Sequence, residues 1–296
     1  MTKPQPKPEP DLKDLLSSAM LVKFSASCWG VAIHDHSVEG EIADKHKSNA
    51  SMLKFRKVLL KSKARDEYKA VAREAYAYHL MKTLMWDKGV GLLPATLFWE
   101  YNEAMEGFKR RADQHADDFV VEYKKEWSNG MSSFKAELGG LFNREDYPDP
   151  SSVRRKFGIR IRIRPLENPN DFRVKLGSGQ TEAVKAQIME DLKADIAEVV
   201  KEPYRRLSEV ITKVHAKLSD AESVFRDSLI ENVKELVEIL PALNVTGDAE
   251  LAALVEKTKS EICIDNVDTL RKDAKFRASV AKSAQEILKG MKGYAS

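Results

Sequence analysis

The sequence predicts an α+β protein, mainly α, in which long antiparallel helices with coiled-coil-like packing accompany a small antiparallel β-sheet or hairpin. Three observations carry this expectation. Hydrophobic residues make up 43% of the 296, enough for a substantial core, while 14 glycines and 11 prolines are too few for a strand-rich fold with many turns. Apolar residues recur at steps of three and four along most of the chain, the period of helices lying against one another. Two segments alternate every second residue instead, which is the period of strands.

The first ten residues alternate proline with lysine, glutamine and glutamate, so residues 1–19 are expected to form a disordered tail. In MLVKFSASCWGVAI, residues 20–33, Val22, Phe24, Ala26 and Cys28 fall on one side and Lys23, Ser25 and Ser27 on the other. That pattern reads as a strand with a bulge near Gly30. Residues 50–86 read as a helix stopped by the glycines and proline of MWDKGVGLLP. Tyr101, Met105, Phe108, Ala112, His115, Phe119 and Tyr123 then make a near-heptad seam from Phe98 to Trp127.

RRKFGIRIRIRPLENPNDFRVKLGSG holds two alternating runs joined by turn residues, a β-hairpin by its chemistry. Phe157, Ile159, Ile161 and Ile163 share a face with Phe172, Val174 and Leu176, and the arginines fall opposite. From Ile188 to Leu240 the apolar steps average about 3.7, which predicts one long helix kinked near Pro203. Two shorter helices, about 248–263 and 266–290, follow LPALNVTGD. The expected organisation is a strand and helical half at 20–150, a basic hairpin at 151–180, and a helical half at 181–296 packing with 50–127.

Net charge is only +3, but it is segregated. Residues 45–65 carry eight basic side chains and no acidic one, and residues 151–176 carry eight against Glu167 and Asp171, leaving −11 over the rest. Such segregation makes local fields that attract anions. Lys54, Lys57, Lys61 and Arg65, at steps of three and four, are expected to form one stripe on a helix. Arg160, Arg162, Arg164, Arg173 and Lys175 are expected on one face of the hairpin, with Arg154, Arg155 and Lys156 leading into it. Trp29, Phe157 and Phe172 are candidate stacking platforms, with burial in the core the plainer reading.

Enzyme signatures are missing: there is no GxxxxGK[ST], GxSxG or HExxH, and GSGQT at 177–181 reads as the start of a helix. His34, Asp35, His36 and His46 lack a fixed metal-ligand spacing and read as a polar turn, and His115, Asp117 and Asp118 read as solvated residues of a charged helix. No cofactor is implied. Cys28 and Cys263 are widely separated and give no disulfide framework. The N-terminus has no apolar signal region and no uncharged stretch reaches membrane-spanning length, so a soluble cytoplasmic protein without membrane partners is expected.

The segments GLLPATLFWEYNEAMEGFKRRADQHADDFVVEYKKEW at 91–127, VFRDSLIENVKELVEILPALNVTGD at 224–248 and LRKDAKF at 270–276 resemble an uncharacterised family of phage and conjugative-element proteins. The resemblance covers most of residues 20–294 and rests on helical surface patterns. Genes of that family often lie beside a MoxR-type AAA+ ATPase. The resemblance implies a phage or mobile-element role in the bacterial host cytoplasm and supplies no catalytic residue.

The leading expectation is a non-enzymatic, DNA-binding or RNA-binding protein of a phage or mobile element, oligomeric, engaging phosphates without reading sequence. A helical scaffold or adaptor that assembles with itself or with an AAA+ ATPase is the alternative, motivated by the long apolar seams. A host-directed inhibitor that uses the basic face against an acidic partner is a third.

Overall fold

The computed structural model describes residues 12–171, 174, 177–220, 222–291, 293 and 294. In chain order it contains α1 (Leu12–Ser18), β1 (Ala19–Ser27), β2 (Ala32–His34), α2 (His36–His46), β3 (Arg56–Val58), α3 (Lys63–Lys82), β4 (Leu84–Asp87), β5 (Val90–Pro94) and α4 (Phe98–Ser128). It continues with α5 (Ser132–Leu138), α6 (Pro150–Val153), β6 (Gly158–Pro165), α7 (Ser178–Val199), α8 (Glu202–Ser219), α9 (Ser228–Leu243), α10 (Ala249–Glu261), α11 (Val267–Lys272) and α12 (Ala274–Gly290). The fold is α+β and mainly α, with a four-stranded sheet ordered β4-β5-β1-β6 and a two-stranded sheet of β2 and β3.

The chain divides into two compact units that interleave in sequence. The first contains the described residues up to Lys23, His79–Tyr101 and those from Arg162 onward, and the second contains Phe24–Tyr78 and Asn102–Ile161. Each crossing falls within a regular element: β1, α3, α4 and β6 run from one unit into the other.

In the first unit, β1 pairs antiparallel with β5 from Ala19↔Pro94 to Lys23↔Val90, and β4 pairs with β5 through a bulge between Met85 and Asp87. Val22, Leu84, Leu92 and Leu93 are fully buried. Gly91 is required by its position, because a Cβ there would sit 2.3 Å from Thr83 Oγ1 and 2.5 Å from Thr83 Cβ. The helices α8 to α12 enclose a separate apolar cluster that includes Leu207, Ile211, Val214, Val233, Leu240 and Ile287. Arg277 donates to the carbonyls of Lys217, Leu218 and Ser223. It thereby satisfies acceptors that the end of α8 leaves open.

The second unit is organised around aromatic rings. Trp29 meets Phe119 and Tyr123 edge-on at 6.0 and 5.4 Å, and Tyr68 meets Phe157 edge-on at 5.1 Å. The seam expected on α4 is present there, with Ala112, Phe119 and Tyr123 buried.

Several expectations are corrected. Of the disordered tail expected at residues 1–19, residues 1–11 lie outside the described residues and the rest forms α1 and the first residue of β1. Residues 50–86 are not one helix: a 3-10 turn, strand β3 and a loop precede α3, and the hairpin β4-β5 follows it. The expected helix from 188 to 240 is three helices, with breaks after Val199 and Ser219. Pro203 kinks nothing, because it sits in the first turn of α8, where its missing N–H has no helical partner to lose. The apolar spacing survives the breaks, since each shorter helix buries its own part of the seam. The expected strand at 20–33 is also split, into β1 and β2. Of the hairpin, β6 is present and pairs with β1; Phe172, Arg173, Lys175 and Leu176 lie outside the described residues, and Val174 is not in a strand.

Candidate nucleic-acid interface

Strand β6 reads GIRIRIRP, and its burial alternates at the start: Ile159 is buried, Ile161 is half-buried, and Arg160, Arg162 and Arg164 are exposed. The opposite arrangement would bury three guanidinium groups without partners, which costs far more than exposing the isoleucines. Towards its end the strand emerges into solvent, and Ile163 is 46% exposed.

The second unit fixes where this strand starts. Ser25 and Ser27 donate through their hydroxyls to the carbonyls of Arg160 and Gly158, at 3.3 and 3.4 Å. The Tyr68 hydroxyl donates to the Ser27 carbonyl at 2.7 Å and accepts from the Gly158 N–H at 2.9 Å. On β1, Val22 and Phe24 are buried while Lys23, Ser25 and Ser27 are exposed. Alternation therefore places Lys23 on the solvent side of its strand, as it places the arginines on theirs. Lys23 is absent from the expected site residues, although the same alternation marks it in the sequence.

Among the described residues, no carboxylate lies within ion-pair distance of Arg160, Arg162 or Arg164. Three like charges on alternate positions of one strand thus face water with no counter-charge among the described residues. Arg155 and Lys156, in the 3-10 turn before β6, are exposed as well. Arg154 is different: it reaches Asp113 at 2.8 Å and Asp117 at 2.5 Å, so it belongs to the internal structure. Asp117 is exposed, as expected, and shares Arg154 with Asp113. Arg173 and Lys175 lie outside the described residues.

The expected lysine stripe is not there. Lys54 is exposed ahead of β3, and Lys61 is exposed in the loop before α3. Lys57 lies in β3 and is buried, with Nζ 2.8 Å from both Asp35 Oδ2 and Asp146 Oδ2 and donating to the Leu141 carbonyl at 3.0 Å. Burial alone would lower its pKa; the bonds to Asp146 and Asp35 outweigh that and raise it. Arg65, in the first turn of α3, donates through Nε to the Trp29 carbonyl at 3.0 Å and lies 3.7 Å from Asp66. Helical spacing put these four cations on one face, but only Arg65 is in a helix, and two of the four are spent internally. An open cleft of about 490 Å³ beside the start of α3 is lined by Lys61, Ser62 and Lys63, but also by Asp66 and Glu67.

Two of the three expected stacking platforms are buried. Trp29 and Phe157 are 8% and 5% exposed and pack inside the second unit, and Phe172 lies outside the described residues. His36 Nδ1 is 2.7 Å from Glu39 Oε2, while the other oxygen of Glu39 accepts from the Phe55 N–H at 2.8 Å. The carboxylate is thus engaged in holding the α2 region to the segment before β3, and the Phe55 and His36 bonds hold its pKa below the usual carboxylate range. Among the described residues no group of three His, Cys, Asp or Glu side chains is arranged to hold a metal ion. No described helix is long and apolar enough to cross a membrane.

Compared with family models, with curated proteins and with solved structures, the chain matches none of them.

Proposed function

We propose that this chain is a non-enzymatic nucleic-acid-binding protein of a phage or mobile element, and that it engages phosphates through the row Arg160, Arg162 and Arg164 on β6. The observation that carries the reading is that these three guanidinium groups are exposed on alternate positions of one strand and have no acidic partner among the described residues. Each cation brought to a phosphate releases condensed counterions, which makes a polyanion the ligand that gains most from such a row. Lys23 extends the exposed cationic set, and Arg155 and Lys156 flank it. The phage or mobile-element setting rests on the resemblance carried by residues 91–127, 224–248 and 270–276.

The scaffold or adaptor reading, motivated by the long apolar seams, has less to support it along one of them. The apolar residues between Ile188 and Leu240 are largely buried within the first unit, Leu207, Ile211, Val214 and Val233 completely so.

The experiment is to purify the protein from cells at low salt and read its 260/280 nm absorbance ratio before and after nuclease, then to titrate the stripped protein with labelled nucleic acid by fluorescence anisotropy. Co-purified nucleic acid that nuclease removes, together with binding that weakens as salt rises, supports the reading. A protein that carries no nucleic acid and binds none at low salt contradicts it.

A further inference from the structure

Resting on the reading of β6 as a phosphate-binding strand, we infer that its ligand is the sugar–phosphate backbone of double-stranded DNA and not the bases of a single strand. Single-strand binders of low sequence preference combine a cationic groove with aromatic side chains on which bases stack. Here the exposed positions of β1 are Lys23, Ser25, Ala26 and Ser27, and those of β6 are Arg160, Arg162, Ile163, Arg164 and Pro165, with no aromatic residue among them. The aromatic residue of β1 is Phe24, which is buried and packs against Tyr76 at 5.5 Å. Phe157, immediately before β6, is buried between Tyr68 and Phe119. The strand therefore offers charge and hydroxyls and withholds the flat apolar surfaces that would reward unstacked bases.

Spacing points the same way. Alternate residues of an extended strand are about 6.8 Å apart, from roughly 3.4 Å of rise per residue. Held in one strand, the three guanidinium forks keep this spacing without further ordering, and each can hold a phosphate through two parallel N–H donors. A duplex already holds its phosphates at fixed spacing, whereas a flexible single strand must be ordered to meet a rigid row, so the row favours the duplex.

The test compares a fluorescent DNA duplex with one of its own single strands, titrated with the full chain over a range of sodium chloride concentrations. The duplex is expected to bind at least about fivefold tighter, with log affinity falling against log salt at a slope of about −3 to −4 for three or four phosphate contacts. In R160Q/R162Q/R164Q that slope should shrink by about 2.7, and in R162Q alone by about 0.9. Circular dichroism checks that the variants are folded, and the single variant keeps the test sharp if the triple one is not. A single strand bound as tightly as the duplex overturns the inference while leaving nucleic-acid binding intact. Displacement of the duplex by polyglutamate at equal charge also overturns it, in favour of an acidic protein partner. Absence of binding to both probes removes the functional reading with it.

Discussion

The hydroxyl of Tyr68 donates to the backbone carbonyl of Ser27 at 2.7 Å, and the same oxygen accepts from the N–H of Gly158 at 2.9 Å. One buried side chain thus satisfies both strands where β1 ends and β6 begins, which positions the arginine row that follows. Tyr68→Phe strands a carbonyl and an amide and should cost about 1–3 kcal/mol. Urea unfolding measures this; a shift too small to resolve would show that water replaces the hydroxyl.

Lys57 holds together three segments that are distant in sequence, through Asp35, Asp146 and the Leu141 carbonyl. Lys57→Met fits the space but leaves two carboxylates without their cation. Its thermal midpoint should fall by roughly 5 °C or more. The hydrogen bonds from Lys57 and Ser37 hold the Asp35 carboxyl well below the usual carboxylate range. That contribution is complete at neutral pH and fades as pH falls below about 4, where the unfolded chain takes up the proton first. An unchanged midpoint in Lys57→Met at neutral pH would contradict this account.

His79 is 2% exposed, and burial lowers its pKa to about 4. Its Nδ1 and the Tyr101 hydroxyl share a hydrogen bond of 2.9 Å. Because the unfolded imidazole protonates near pH 6.5 and the folded one only near 4, stability is full above about 6.5 and declines between these values. The decline amounts to roughly 3 kcal/mol. His79→Gln should flatten the profile of unfolding free energy between pH 6.5 and 4; an identical slope in the variant would contradict it.

Gly91→Ala places a methyl group 2.3 Å from Thr83 Oγ1, while that hydroxyl is itself committed to the His79 carbonyl at 2.7 Å. The buried Thr83 cannot yield cheaply, and the substitution should destabilise by about 1–3 kcal/mol. Gly89→Ala is a useful comparison at the adjacent turn, where the cost is backbone strain at φ +74° and not a clash. A silent Gly91→Ala in a urea melt would show that β5 has room to shift.

The fold class was legible in the sequence because its strongest signals are local and periodic. The α4 seam from Tyr101 to Tyr123 and, at the start of β6, the alternation from Ile159 to Arg162 read through to burial in the structure. Helix breaks were harder, because Leu207 and Val233 keep a helical phase across a gap that the chain spans without helix. The lysine stripe failed for a related reason: steps of three and four between Lys54 and Arg65 are equally compatible with a turn, a short strand and a loop. What decided the fate of Lys57 was a pair of carboxylates, Asp35 and Asp146, that sequence distance concealed. On β6, by contrast, Arg160, Arg162 and Arg164 have no such partner among the described residues, so local pattern was enough.

The most direct measurement sets two triple variants side by side in an anisotropy titration with duplex DNA at moderate salt: R160Q/R162Q/R164Q on β6, and K54Q/R56Q/K61Q in the segment around β3. Both remove three exposed positive charges. The account expects the β6 variant to bind at least about tenfold more weakly and the other to stay within about threefold of the unaltered protein. Equal losses, or a loss confined to the β3 variant, would contradict it.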